Sequence, residues 1–250
     1  MKIQLTASLA AFFLMAAAPV PPAEPAPSPI DPEVAPILVK MGDYYKTLKA
    51  FSIHVDTTTD EVLVAGPKVQ YGGTIDLTVR RPDRLHVVIA RDDAATQEFF
   101  YDGKTLTVFI PEKNVYASAP MPGTIPEMVA ATRAKYDLAI PLDDLLKGAA
   151  GYDLLKNAKA AIVIGTGRVE GVECDHVGAH YEKVDGQLWV EQGDRPLPRK
   201  FILTTLSEPT QPQHAEILTW DLSPKIDEAV FTFVPPAGAE KIVFVESAKK

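Results

Sequence analysis

An alternation of apolar and polar residues with a period of two is the feature that most constrains the fold of this chain. Successive side chains of a β-strand point to opposite faces, so each alternating segment predicts a strand with one buried and one polar face. The segments are separated by short turns rather than by helices, which predicts an antiparallel meander whose sheet order follows the chain. The first four are residues 51–55, 75–79, 85–89 and 106–110.

Further strands are predicted in the second half of the chain. Asp102-Gly103, Glu170-Gly171 and Asp185-Gly186 predict hairpin turns, because glycine supplies the positive φ that tight turns need. The last strand must end before Pro235-Pro236, since proline has no N–H to donate. These strands are expected at residues 161–169, 173–181, 187–191, 199–206, 214–222 and 231–233.

Helices are predicted in two places. Asp31-Pro32-Glu33 has the form of a helix start, and an apolar face follows at Ile37, Met41, Tyr45 and Leu48. Thr124 and Glu127 form a capping-box pattern that starts a helix between the strands, and shorter helical pieces are expected at 141–146 and 152–156. Such helices cover one face of an antiparallel sheet or plug a barrel mouth, so the fold class is mainly β with α.

The N-terminal residues predict export. Lys2 precedes an apolar run from Leu9 to Ala18, which is typical of a signal peptide covering residues 1–18. An uncleaved N-terminal anchor is the alternative. Residues 19–30 are proline-rich and predict an extended, disordered tether. Residues 31–250 are then expected to form a single domain, soluble in the periplasm after cleavage.

Charge and cysteine content exclude several classes of partner and site. The formal net charge is −8 and no basic stretch could track a phosphate backbone, so nucleic acid is not an expected partner. The lone cysteine, Cys174, cannot form an intramolecular disulfide. Cys174, His176 and His180 share a strand face, but the two histidines would lie about 13 Å apart, too far to bind one metal ion.

We expect neither an enzyme nor a cofactor. The sequence has no Gly-x-Ser-x-Gly elbow, His-Glu-x-x-His motif or phosphate-binding glycine loop. The adjacent carboxylates Asp92-Asp93 and Asp143-Asp144 diverge on a strand or a helix, so neither pair can act as a general acid and base.

Two stretches resemble a known family. "TVRRPDRLHVVI" followed by "YDGKTLTVFI", and the C-terminal "FTFVPPAGAEKI", resemble LolA, the periplasmic lipoprotein carrier. From about Asp31, the chain is also similar to a family of predicted bacterial periplasmic proteins of unknown function that has the "VRRPDRL" and "YDGKTLT" signatures. The resemblance implies an incomplete antiparallel β-barrel with helices forming a lid over an apolar cavity, which in the carriers takes acyl chains.

The same resemblance implies a role for Arg81. In the carriers, the arginine just before the proline of this turn holds the lid closed by hydrogen bonds to the helical segment, and Arg81 occupies that position. A guanidinium offers five donors in a rigid fork, so one side chain can satisfy several carbonyls at a helix end. The alternative is that Arg81 pairs with Asp83 at a solvated turn.

Aromatic residues on predicted strands are the candidates for an apolar pocket, with ordinary core packing as the alternative. The expected ligand is an acyl chain, a lipoprotein or another apolar molecule, carried in the periplasm. The alternative function is a protein-interaction module that resembles the sensing domain of RseB-type envelope stress regulators and binds a membrane-associated partner. The pocket candidates are Phe99, Tyr101, Phe109, Trp189, Phe201 and Trp220.

Overall fold

The computed structural model describes residues 29–247 except 65 and 147–152, so the predicted signal peptide lies outside the described residues. The predicted fold class is confirmed, because most elements are strands of one 12-stranded sheet. The strands are β1 (Ala50–Val62), β2 (Lys68–Arg80), β3 (Arg84–Arg91), β4 (Ala94–Tyr101), β5 (Thr105–Ile110), β6 (Val115–Pro120), β7 (Ala160–Val169), β8 (Val172–His180), β9 (Val184–Glu191), β10 (Pro198–Thr205), β11 (Gln213–Asp221) and β12 (Glu240–Ile242).

The sheet consists of two meanders joined at β1, with the order β12-β6-β5-β4-β3-β2-β1-β11-β10-β9-β8-β7. The predicted sequential order holds within each meander but is wrong at the junction, because β1 pairs with both β2 and β11. This register sets Ile53 opposite Leu77 on one side and Trp220 on the other, which continues one apolar row across the junction. The terminal strands β7 and β12 do not pair, so the sheet stays open.

Three α-helices pack on one face of the sheet, the helix-covered face. The capping box predicted at Thr124 is confirmed: the Thr124 hydroxyl accepts from the Glu127 N–H, and the Glu127 carboxylate accepts from the Thr124 N–H. None of the described helices is long and apolar enough to cross a bilayer. The helices are α1 (Val34–Thr47), α2 (Ile125–Tyr136) and α3 (Asp143–Leu146), and 3-10 turns lie at Pro111–Lys113, Asp153–Leu155 and Glu228–Phe231.

The core lies between these helices and the sheet, in two clusters. In the larger cluster, α2 and α3 pack on β1 to β5, and Met128 and Phe99 are almost completely buried. In the smaller cluster, Leu38 and Met41 of α1 pack on Val177 and Val190 of the second meander. Burying one such side chain stabilises the fold by roughly 1.5–3 kcal/mol. Tyr45 of α1 packs in the larger cluster, so α1 links the two halves of the sheet.

The strand predicted at residues 231–233 is wrong. Phe231 instead ends a 3-10 turn, and Phe233 packs against Phe100, Phe109 and Tyr116 on the outer face of the sheet. The chain then adds β12 in parallel to β6. Three aromatic neighbours bury Phe233 more effectively than a terminal strand followed by two prolines would, which explains the difference.

The turn predicted at Asp185-Gly186 is also wrong, whereas the turn at Glu170-Gly171 is confirmed with positive φ at both residues. Gly186 lies inside β9 opposite Ala179, and the β8–β9 turn falls on residues 182–183. The observed register sets Val177 opposite Leu188 and against α1. A turn at 185–186 would have moved Val177 opposite Asp194, so core packing overrides the glycine signal.

His86 on the outer face is expected to make stability depend on pH. Its ring lies 4.6 Å from the Phe100 ring, and burial lowers its pKa although Glu98 opposes part of that shift. As pH falls below about 6.5, the unfolded chain therefore binds more protons at this histidine than the folded chain does. The free energy of unfolding keeps the contribution of His86 at neutral pH and loses it on acidification. Thermal melts at pH 7.5 and 5.0 should show a larger drop in Tm for the wild type than for His86→Leu. An equal drop in both proteins would contradict this role.

Candidate functional site

A cavity of about 500 Å³ opens between the end of α1, the β2–β3 turn and the start of α2. A volume of this size falls within the range of roughly 300–1,000 Å³ that is typical of small-molecule sites. Most of its described lining residues are apolar, and the cations among them are Lys49 and Arg81. The lining residues are Tyr45, Lys49, Val79, Arg81, Pro82, Thr124, Ile125, Pro126 and Leu146.

The β2–β3 turn is attached to both helices that border the cavity. The Arg81 N–H donates to the Lys49 carbonyl at 2.8 Å, just after α1, and the Pro82 carbonyl accepts from the Ile125 N–H at 2.8 Å, at the first residue of α2. Arg81 and Pro82 are joined by a cis peptide bond. One turn therefore fixes the distance between the two helix ends.

The Arg81 side chain binds the C-terminal end of α1. Its Nη1 donates to the carbonyls of Tyr45 at 3.1 Å and Lys46 at 3.4 Å, in the last turn of the helix, and the Tyr45 carbonyl also accepts from the Leu48 N–H. Its guanidinium carbon lies 4.3 Å from the centre of the Tyr45 ring. Asp83 pairs with Arg84 instead, at 3.0 Å. Arg81 thus lines the same cavity as Thr124, but its hydrogen bonds to described residues go to α1.

Tyr45 forms the buried wall of the cavity. Only 1% of this residue is exposed, and its ring meets Phe51 and Trp220 edge-on with centroids 5.7 and 6.1 Å away. Its hydroxyl has no hydrogen-bond partner within the described part of the chain. Burial raises the pKa of this hydroxyl, and the positive charge of Arg81 opposes part of the rise. Tyr45 therefore stays neutral and retains a free donor at pH 7.

Four of the six aromatic pocket candidates lie on the helix-covered face. Phe99 and Tyr101 belong to the main core, and Phe201 and Trp220 pack against its edge. The Tyr101 hydroxyl donates to the Pro122 carbonyl, and its pKa is raised to about 12, mainly by burial. Trp220 approaches the cavity most closely, through its contact with Tyr45.

The other two candidates, Phe109 and Trp189, lie on the outer face. Phe109 packs against Phe233, with ring centroids 5.3 Å apart. The Trp189 ring stacks on His176 at 3.9 Å, and Lys200 lies over it. The six aromatics are therefore divided between the two faces of the sheet and do not line one pocket.

Cys174, His176 and His180 each have a different environment. The Cys174 thiol is buried, and burial raises its pKa. His176 Nε2 lies 3.1 Å from Gln187 Oε1, whereas His180 pairs with Asp185 at 2.6 Å. Across the described ranges, no three His, Cys, Asp or Glu side chains lie close enough together to hold a metal ion.

Sequence reasoning identified Arg81 but missed most of the residues around it. Tyr45 was assigned only to the apolar face of a helix, and nothing in the sequence distinguished Lys49 from the other lysines. A usable signal existed for the start of α2, because the capping box at Thr124 located the helix end that borders the cavity. The hydrogen bond of this helix end to the Pro82 carbonyl depends on tertiary structure alone.

Comparison with protein families gives one match over most of the chain. A family model described as a predicted periplasmic protein (DUF2092) matches residues 35–245. The resemblance to a predicted periplasmic family and the periplasmic location are thereby confirmed. No curated protein matches the sequence.

The chain is similar to several solved structures. The lipoprotein LppX from Mycobacterium tuberculosis is 16% identical over 79% of this chain and all of its own, with a TM-score of 0.50. A LolA superfamily protein from Nitrosomonas europaea is 13% identical over 80% of this chain and 97% of its own, with a TM-score of 0.34. MucB, solved in complex with MucA(peri), is 14% identical over 81% of this chain and 60% of its own, with a TM-score of 0.43. At these identities the likeness concerns the fold alone.

Proposed function

We propose that this chain, which belongs to the DUF2092 family of predicted periplasmic proteins, is a non-catalytic carrier that binds one amphiphilic molecule in the cavity between α1 and α2. The observation that carries the proposal is the cavity of about 500 Å³. It is bordered by the end of α1 and the start of α2, and the β2–β3 turn is hydrogen-bonded to both. An acyl chain or a similar apolar group occupies it, with its polar end at the mouth.

The contacts of α2 suit a lid that moves to admit a ligand. Its buried side is formed mainly by apolar residues, which hold it on the sheet through non-directional contacts. Met121 and Met128 lie at this interface, and the flexible thioether side chain can pack again around a guest. The Ile125 N–H to Pro82 carbonyl bond is a fixed point at the start of α2, and the Ser247 N–H to Lys135 carbonyl bond is a second one near its end.

The fold likeness adds support of a limited kind. LppX is described as a lipoprotein and shares the fold at a TM-score of 0.50. We propose by analogy that this chain uses the helix-covered face of its sheet as a binding surface. The ligand class follows from the cavity lining and not from the neighbour.

A bulky residue at the rim should block binding. Pro126 is exposed and lines the cavity, so Pro126→Trp should weaken binding of 11-(dansylamino)undecanoic acid about tenfold or more by occupying ligand volume. Ala130 is exposed on the same helix and does not line the cavity, so Ala130→Trp is the matched control and should bind like the wild type. Fluorescence titration measures both. No saturable probe binding by the wild type would reject the carrier function.

The protein-interaction alternative depends on a different feature, the open sheet edge at β12. Ile242, Val243 and Val245 are exposed there, and an exposed strand edge can accept a strand from a partner. If the protein has this function, it should form a stable complex with one periplasmic protein after all lipid has been removed. Loss of the complex on delipidation would contradict it.

A further inference from the structure

The charges at the mouth of the cavity carry an inference about the ligand, which rests on the proposed carrier function. All eight arginines of the chain lie in the described ranges, and Arg81 differs from the other seven. Seven of them pair with a carboxylate, whereas Arg81 pairs with none of the described carboxylates. The seven pairs are Arg80–Glu228, Arg84–Asp83, Arg91–Asp93, Arg133–Asp137, Arg168–Glu173, Arg195–Glu191 and Arg199–Glu191.

Arg81 also has N–H groups that its hydrogen bonds to α1 do not use. A guanidinium has five N–H groups, and the hydrogen bonds of Arg81 to Tyr45 and Lys46 use only Nη1. Both acceptors are neutral carbonyls, so the positive charge is not neutralised by either. The remaining donors belong to a side chain that lines the cavity, where an anionic group could accept them.

Lys49 adds a second cation to the same cavity. It is exposed, and no described carboxylate lies within 4.0 Å of its ammonium group. None of the described residues that line the cavity is acidic. The chain as a whole has a formal net charge of −8, so two cations and no acid among the described lining residues depart from its general composition.

Tyr45 supplies a third polar group. It lines the cavity together with both cations, and its buried hydroxyl has no partner among the described side chains and backbone. Leaving a buried hydroxyl without a partner is unfavourable by roughly 1–3 kcal/mol. A ligand oxygen that reached it would remove this cost.

We propose that the ligand is an anionic amphiphile whose carboxylate or phosphate head is bound at the cavity mouth by Arg81 and Lys49, with its apolar chain directed inward against Val79 and Ile125. Neutral amphiphiles of the same chain length bind more weakly, because they leave both cations without a counter-charge.

Two probes that differ only at the head test this inference. We expect 11-(dansylamino)undecanoic acid to bind about tenfold more tightly than its methyl ester at pH 7.5 in low salt, and the difference to shrink at 0.5 M NaCl. Lys49→Gln should weaken binding of the acid about three- to fivefold and leave the ester unchanged. Lys68→Gln removes the same charge from the far end of β2, where Lys68 pairs with Asp60, and should change neither affinity.

The outcomes separate this inference from the carrier function. Equal affinity for the acid and the ester would overturn the anionic head and leave the carrier function intact. Absence of binding by both probes would reject both. Displacement of the acid by 10 mM acetate would also overturn the assignment, since it would indicate a site for small anions rather than for an amphiphile.

Discussion

Replacing Arg81 by glutamine is expected to lower the free energy of unfolding by about 2–3 kcal/mol, a large effect for a turn residue. The substitution removes charge-assisted hydrogen bonds to two α1 carbonyls, which contribute about 1.5–3 kcal/mol, and the cation–π contact with Tyr45, which contributes about 0.5–2 kcal/mol. Urea denaturation followed by far-UV circular dichroism measures the change.

The neighbouring arginine provides the matched control. Arg80 pairs with Glu228, and their side chains are 38% and 59% exposed, so Arg80→Gln should cost less than about 1 kcal/mol. Equal losses for the two variants would contradict the capping role of Arg81. Arg81→Lys should recover only part of the stability, because an ammonium group cannot reproduce the planar fork.

Truncating Tyr45 to alanine is expected to have the largest effect of all, a loss of about 3–5 kcal/mol of unfolding free energy. Its ring contacts Phe51 and Trp220 and supports the Arg81 guanidinium, so removal leaves a void where α1, the sheet and the cavity meet. The same urea titration measures it. The loss should appear also as a lower affinity for the fatty-acid probe.

Tyr45→Phe separates the ring from the hydroxyl. Because the hydroxyl has no partner among the described residues, its removal should leave stability unchanged or slightly increased. Affinity for the anionic probe should fall, since the proposed head group loses a donor. A large loss of stability in Tyr45→Phe would show that the hydroxyl is satisfied in the free protein, and would contradict its assignment to the ligand.

Much of the fold could be predicted from the sequence, because its signals are local. Strands such as β1, β2 and β3 follow from a period of two, and the start of α2 follows from Thr124 and Glu127. The pairing of β1 with β11 was not predictable in this way, since it joins residues more than 150 positions apart. The outer-face position of Phe233 depends likewise on partners that only the folded chain assembles.

The site was less predictable than the fold. Arg81 was singled out through a resemblance, and the structure places it at the cavity with α1, which precedes it by about 35 residues, as its partner. The aromatic candidates were chosen because they lie on strands, and this criterion cannot tell which face a residue occupies until the register is known. Phe109 and Trp189 therefore differ from Phe99 and Tyr101 in position although their sequence patterns are alike.

Mass spectrometry of gently isolated protein tests the central claim, that the cavity holds an amphiphile, most directly. We expect the wild-type chain to retain about one anionic amphiphile per molecule under native conditions, and Pro126→Trp to retain little or none. Ala130→Trp should match the wild type. Wild-type protein that carries no amphiphile and takes up none when mixed with fatty acid would contradict a carrier function.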